Sequence, residues 1–283
     1  MKLALVTNAS NIHEYTRIGA DAFIFGFKGY SSGYNNEIDL DEIKKIKQET
    51  NKDLFIAINK NLFNHELKEI EEILIELDKI KISGVLFYDL SIIYLKNKNN
   101  LTIPLVWNQT HLVTNYNTCN YYLEKGCNYG VLSSEITLEE INEITNKTKM
   151  KLFLNILGYQ VMGYSRRNLV DNYYKSIGKE RKKDSYIIKN QNEEYIVSQE
   201  KNGNAFYYGK PLNGSSALKS LNVEYLILND NFFEKEKFIS AFKLYKEYLN
   251  NKNDSVLEKI DELVGDNRGF LYKKTIYKVK KNG

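Results

Sequence analysis

Short apolar runs alternate with longer amphipathic stretches over the first two thirds of the chain. Residues 3–7, 21–26, 53–59, 84–89, 103–108, 129–134 and 151–157 are apolar and β-rich, and do not alternate apolar with polar. Strands of that kind are buried on both faces, as in a parallel sheet covered by helices. Between them lie helical patterns. Residues 39–50 place Leu40, Ile43 and Ile46 on one face behind Asp39, a good N-cap. Residues 66–80 line up Leu67, Ile70, Ile73, Leu74 and Leu77. Residues 137–145 begin on Thr137 with Glu140 three positions on, the spacing of a capping box. Helices are also expected at 11–18 and 115–125.

Seven βα units within 157 residues predict a (β/α)₈ barrel of the TIM type, the alternative being an open doubly wound sheet. The rhythm breaks from Gly158. Residues 158–220 lack a βα unit and contain hairpin-like segments at 185–199 and 204–212. An excursion after the seventh strand belongs at the C-terminal face of such a barrel, where the fold places its chemistry. Residues 223–230 supply the eighth strand and 234–249 the last helix. The expected organisation is a barrel over 1–250, including the excursion, and a C-terminal extension over 251–283.

Composition narrows the class. Hydrophobic residues make up 42% and charged residues 27%, which suits a folded globular chain. A net charge of +4 is too small to diagnose nucleic-acid binding, so any basic footprint must be local. No apolar run approaches the roughly 18 residues of a transmembrane helix. The two cysteines, Cys119 and Cys127, form no CxxC pair and no disulfide framework, and a reducing cytoplasm fits them best. Two cysteines cannot supply a four-cysteine zinc or iron–sulfur site. No metal site is expected: His13, His65 and His111 lack ligand spacing.

One stretch does not read as scaffold. "GYSRRNLVDNYY", residues 163–174, places Arg166 beside Arg167 in a chain with only five arginines. Guanidinium is a planar fork suited to carboxylate or phosphate. A helix starting here, with Ser165 as cap and both arginines in its first turn, would oppose its own dipole unless an anion bound there. The other use of the pair is ionic contact with Glu135 or Asp171. From Arg166 to Lys183, seven basic residues face two acidic ones, with Tyr164, Tyr173 and Tyr174 interleaved. Charge with stacking rings can hold single-stranded RNA, and Lys175, Arg181, Lys182, Lys183 and Tyr173 are the candidates. Asn59, Asn108, Gln109, Thr110, Ser133, Ser134 and Glu135 each follow an apolar run, and such strand-end positions converge on one mouth in a barrel. Asn59, Gln109 and Thr110 are candidate ligand contacts there, and Glu135 is either a catalytic base or an ion-pair partner.

These residues resemble a known family. "GADAFIFG" (19–26), "FIAINK" (55–60), "LSSEITLEEI" (132–141) and "YSRRNLVDNYY" (164–174) look like the peptidase U32, or collagenase-like protease, family. From its signature Gly158, Tyr164, Ser165, Arg167, Leu169, Asn172 and Tyr173 carry over. Phe153 stands at the family's glutamate position, Val161 and Asn168 at two cysteine positions, and "KERKKDSY" (179–186) over the downstream cysteines. The resemblance implies a barrel with an added segment and a role in oxygen-independent 5-hydroxylation of tRNA uridine-34, with prephenate as co-substrate. The departures imply a cluster-free paralogue that partners a cysteine-bearing relative carrying the iron–sulfur cluster, with tRNA as a further partner. Arg166, Arg167, Tyr164, Ser165 and Asn172 would then hold the anionic substrate. A peptidase, or a non-catalytic interaction module, are the alternative readings.

Overall fold

A computed structural model of the chain describes residues 1–34, 37–109, 111–191, 193–200 and 203–274. Thr110 and most of the basic, aromatic tail lie outside the described residues. The chain opens with β1 (Lys2–Val6), α1 (Ile12–Arg17), β2 (Ala22–Phe27), a short β3 (Glu37–Ile38) and α2 (Leu40–Glu49). It continues through β4 (Asp53–Ile58), α3 (Leu67–Ile80), β5 (Gly84–Phe87), α4 (Ser91–Lys98) and β6 (Leu105–Trp107). Then come α5 (Tyr116–Glu124), β7 (Tyr129–Val131), α6 (Leu138–Lys147) and β8 (Lys151–Gly158). A segment of different character follows, with β9 (Val161–Ser165), α7 (Leu169–Ser176), β10 (Ser185–Asn190), β11 (Glu193–Glu200), β12 (Gly203–Tyr208) and β13 (Leu212–Asn213). The last elements are β14 (Tyr225–Asn229), α8 (Lys235–Asn251) and α9 (Ser255–Val264).

β1, β2, β4, β5, β6, β7, β8 and β14 pair in parallel in that order, and β14 returns to β1 with Lys2 opposite Tyr225 and Val6 opposite Asn229. That pairing closes the sheet, so the fold is the expected (β/α)₈ barrel and not an open doubly wound sheet. Alternate strand residues point inward, because the side-chain period of a strand is two. Phe55, Phe153 and Tyr225 fill the interior, with the Phe153 and Tyr225 rings stacked 4.4 Å apart. The outward residues of the strands meet the helices. Both predicted capping boxes form, at Asp39–Glu42 and Thr137–Glu140. Helix α4 was not anticipated, because its "SIIYLKNK" is short and its apolar residues cluster at one end.

The excursion makes a separate antiparallel sheet in the order β10–β11–β12–β9, against which α7 packs. Here the structure corrects one expectation. Ser165 does not cap a helix; it ends β9, opposite Asn204 of β12. The helix starts four residues later, at Leu169, so both arginines lie in the connecting turn. Helix α9 buries Val256, Leu257, Ile260 and Val264 in the barrel's own core. Arg268 pairs with Asp261 and donates to the Asn213 carbonyl at 2.8 Å, tying the chain end to β13.

Candidate functional site at the mouth of the barrel

Strand ends and the inserted sheet enclose a cavity of about 440 Å³ at the C-terminal mouth. Its apolar floor includes Val6, Leu86, Val131 and Ile227 from four barrel strands. Among the described residues five asparagines also line the cavity: Asn59 just past β4, Asn61 two residues on, Asn108 just past β6, Asn155 within β8 and Asn229 at the end of β14. The inserted sheet contributes Val161, Met162 and Tyr164 from β9. Gly158 begins this crossing with φ +141°, where a Cβ would lie 2.9 Å from Asn229 Cβ. Only glycine takes that backbone without strain.

Among the described residues, two cations line the cavity, Lys60 and Arg166, and none of the lining residues is a carboxylate. One buried acid behind the wall organises both. Glu66 accepts from Lys60 Nζ at 3.0 Å and from the Phe63 N–H at 2.7 Å, and lies 3.7 Å from Arg166 Nη2. Arg166 also donates to the Asn61 carbonyl at 3.4 Å, and its guanidinium rests 4.1 Å above the Phe63 ring. Lys60 Nζ lies 4.5 Å from the Tyr30 ring centre. Burial alone would raise the Glu66 pKa. The Phe63 N–H and the two cations outweigh it, so its carboxyl is held below the ordinary range.

A second acid joins the inserted sheet to the barrel. Glu200, at the end of β11, accepts from the Gly33 N–H at 3.1 Å and from Tyr207 Oη at 3.2 Å. Burial pushes its pKa up, and these two donors offset that only in part. Burial likewise pushes the Tyr164 hydroxyl up to about 12.

The other residues singled out in the sequence separate into three groups. Arg166, Tyr164 and Asn59 line the cavity. Asn59 uses both ends of its amide on the Ser32 backbone, at 3.0 Å each, and so braces the loop after β2. Gln109 bridges Trp107 Nε1 and the Tyr88 carbonyl and does not line the cavity. Glu135 pairs with neither arginine; its Oε1 lies 3.2 Å from His111 Nδ1, and His111 and Ser134 reach the cavity edge. Arg167 is exposed and away from the cavity, and its N–H donates to Ser165 Oγ.

The third group sits outside the mouth. Asn172, Tyr173 and Lys175 are exposed on α7. Arg181 is held between Asp171 and Asp184, which neutralises it. Lys182 and Lys183 are exposed, and both their N–H groups donate to Tyr186 Oη. Sequence reasoning placed Asn108 at the mouth but did not single out Lys60, Glu66, Asn155 or Asn229. Asn108 carried a signal in its position just past an apolar run; Lys60 is one lysine among many and Glu66 reads as a helix-start acid.

Cys119 and Cys127 are both buried, and burial raises their pKa values to about 11 and about 12. Val161 lines the cavity, and the Asn168 side chain accepts from Gln199 Nε2 at 3.2 Å. Among the described residues, no group of three or more His, Cys, Asp or Glu side chains is placed to hold a metal ion. Among them, too, no helix is long and apolar enough to cross a membrane.

The family model of peptidase family U32 matches residues 7–271. The chain is similar to tRNA hydroxylation protein P2 of Bacillus subtilis (strain 168), at 23% identity over 97% of this chain and 98% of that protein. It is also similar to the uncharacterized protease MJ0090 of Methanocaldococcus jannaschii, at 30% identity over 50% of this chain and 35% of that one. Among solved structures, the U32 peptidase Mk0906 aligns with a TM-score of 0.47, at 10% identity, over 56% of this chain and 69% of that one.

Proposed function

The chain belongs to peptidase family U32, and from that premise we propose that it is a subunit supporting prephenate-dependent, oxygen-independent 5-hydroxylation of tRNA uridine-34. The similarity to tRNA hydroxylation protein P2 runs through nearly the whole of both chains, which supports that reading over a partial domain match. In this reading the chain is cluster-free. The iron–sulfur cluster belongs to a cysteine-bearing relative that assembles with it. The burial and raised pKa of both thiols favour this, because thiolate, not thiol, ligates iron.

The observation that carries the reading is the electrostatics of the mouth. Lys60 and Arg166 line it and share a single carboxylate, Glu66, which leaves the group with a net positive charge. An anionic guest, phosphate or carboxylate, is favoured there. The exposed Lys175, Lys182 and Lys183 beside Tyr173 would extend the attraction along an RNA strand. Affinity capture of the tagged chain tests the assembly: an iron-bearing family relative should copurify. Capture of the chain alone, under conditions where that relative is expressed, would count against it.

A peptidase is the second reading, because Ser134 and His111 reach the cavity edge and Glu135 lies 3.2 Å from His111. A serine nucleophile needs its hydroxyl hydrogen-bonded to the base, and Ser134 makes no such bond to His111. Labelling of Ser134 by a fluorophosphonate probe, abolished by His111→Ala, would establish this reading in place of the first.

A further inference from the structure

The two edges of the inserted sheet differ. β9 lines the mouth cavity, whereas among the described residues no strand pairs with the outer side of β10. An open edge is a row of unpaired N–H and C=O groups, which proteins defend with proline, a bulge, charge or a very short strand. β10 carries little of that defence. It pairs with β11 over 6 residues without a register break, from Ser185 opposite Ser198 to Asn190 opposite Glu193, and contains no proline. Its one charged side chain, Lys189, is drawn to Glu194 of the adjacent strand at 3.0 Å. Each face of the strand shows an isoleucine to solvent, Ile187 at 66% and Ile188 at 43% exposed.

The sequence of this strand is complementary to itself. Two identical strands pair antiparallel about a two-fold axis perpendicular to the sheet, which sets each residue opposite one on the same face. With the axis at Ile187, that residue meets its own mate, and Tyr186 meets Ile188 of the second copy. All three apolar side chains of the strand then have apolar partners across the seam. Lys189 falls opposite Ser185, and Asn190 beside Asp184, so no like charges are opposed. With the axis at Ile188, Ile187 would instead face Lys189, and Tyr186 would face Asn190.

We propose that β10 is a docking edge for the β10 strand of a second copy of this chain, joining two four-stranded sheets into one of eight. The seam buries less than the roughly 1,600 Å² of a standard interface, so the dimer is reversible, with a Kd of about 1 μM or weaker. The two β9 strands stand at the far edges of the joined sheet, seven steps of about 4.8 Å apart, or roughly 34 Å. Each mouth cavity lies against a β9 and stays open. This inference is independent of the reaction proposed above.

The test uses the full chain. Ile187→Cys sets a thiol opposite its mate, at a Cα separation of about 4.5–5.5 Å that a disulfide spans. Lys189→Cys sets its mate four residues along the seam, about 13 Å away and out of reach. Cys119 and Cys127 are fully buried and do not compete. Mild oxidation should convert Ile187→Cys, and not Lys189→Cys, to a covalent dimer on a non-reducing gel. Sedimentation equilibrium of the unaltered chain should show a monomer–dimer equilibrium. Ile187→Lys opposes two ammonium groups at the centre of the seam and should weaken it at least about tenfold, with the far-UV circular dichroism unchanged. An unaltered chain that remains monomeric at about 100 μM would overturn the proposal, whatever else binds this edge. So would equal cross-linking of the two cysteine variants, or a dimer that Ile187→Lys leaves intact.

Discussion

Lys60, in the wall of the mouth cavity, and Glu66 behind it form a buried ion pair 3.0 Å apart, with side chains 6% and 11% exposed. They lie six positions apart in sequence. The Phe63 N–H and Arg166 complete the set around the same carboxylate. A single acid therefore fixes two cations that the cavity needs in place.

Removing that acid should be expensive. Glu66→Gln leaves the Lys60 ammonium buried without its counter-charge, which costs about 3 kcal/mol in such pairs. Urea denaturation at neutral pH would measure it. A loss below about 1 kcal/mol would mean that water already screens the pair.

The same carboxylate sets an acid limb of stability. Its pKa is lowered in the folded chain from an ordinary 4.5. The unfolded state therefore binds the proton first, and the stabilisation is full above 4.5 and lost as pH falls through the lower folded value. Relative to the unaltered chain, Glu66→Gln should show a flatter stability profile below pH 4.5. Parallel profiles for the two proteins would contradict the assignment.

Glu200 should behave with the opposite sign. Its pKa is raised from 4.5 because burial penalises the charge more than the Gly33 and Tyr207 donors support it. The folded state binds the proton first, so its contribution declines as pH rises from 4.5 through the folded value. The stability of Glu200→Gln, measured against the unaltered chain, should improve between pH 4.5 and pH 7.5. A difference that does not change with pH would argue that Glu200 titrates normally.

Gly158 is the pivot from the barrel into the inserted sheet. Gly158→Ala places a side chain at φ +141° and against Asn229, and should cost about 2 kcal/mol. It should also disturb the cavity more than it disturbs the helices. Thermal unfolding followed by far-UV circular dichroism checks the first, and near-UV circular dichroism of the tyrosines lining the cavity the second.

The barrel was legible because its signals are local and repeated. Eight apolar runs and the faces of α2, α3 and α6 each stand out within a dozen residues, and all eight strands occur where the pattern puts them. The mouth was less legible for three physical reasons. The arginine pair reads as a helix start because "VMGYS" is too short to announce a strand, and its pairing partner, β12, lies some forty residues away. Lys60 is disguised by a lysine-rich composition, since nothing in its neighbours reveals that it is buried. Glu135 invites pairing with an arginine by charge alone, whereas the fold brings His111 to it instead. Adjacent arginines also diverge: Arg166 turns to the cavity and Arg167 to solvent, a distinction that a turn geometry decides and a dipeptide cannot.

That divergence is itself testable. Arg166→Ala should weaken RNA binding about equally across sequences and reduce the salt slope by about 1, the mark of a lost phosphate contact. Arg167→Ala should change neither. Equal effects from both would place the contact on the exposed turn and not in the cavity.

The most direct measurement is the 5-hydroxyuridine content of bulk tRNA from cells lacking this chain, determined by nucleoside mass spectrometry. Loss of the modification at position 34, restored by the unaltered chain and not by Arg166→Ala, is the result predicted here. Undiminished modification in the deletion strain would contradict the account.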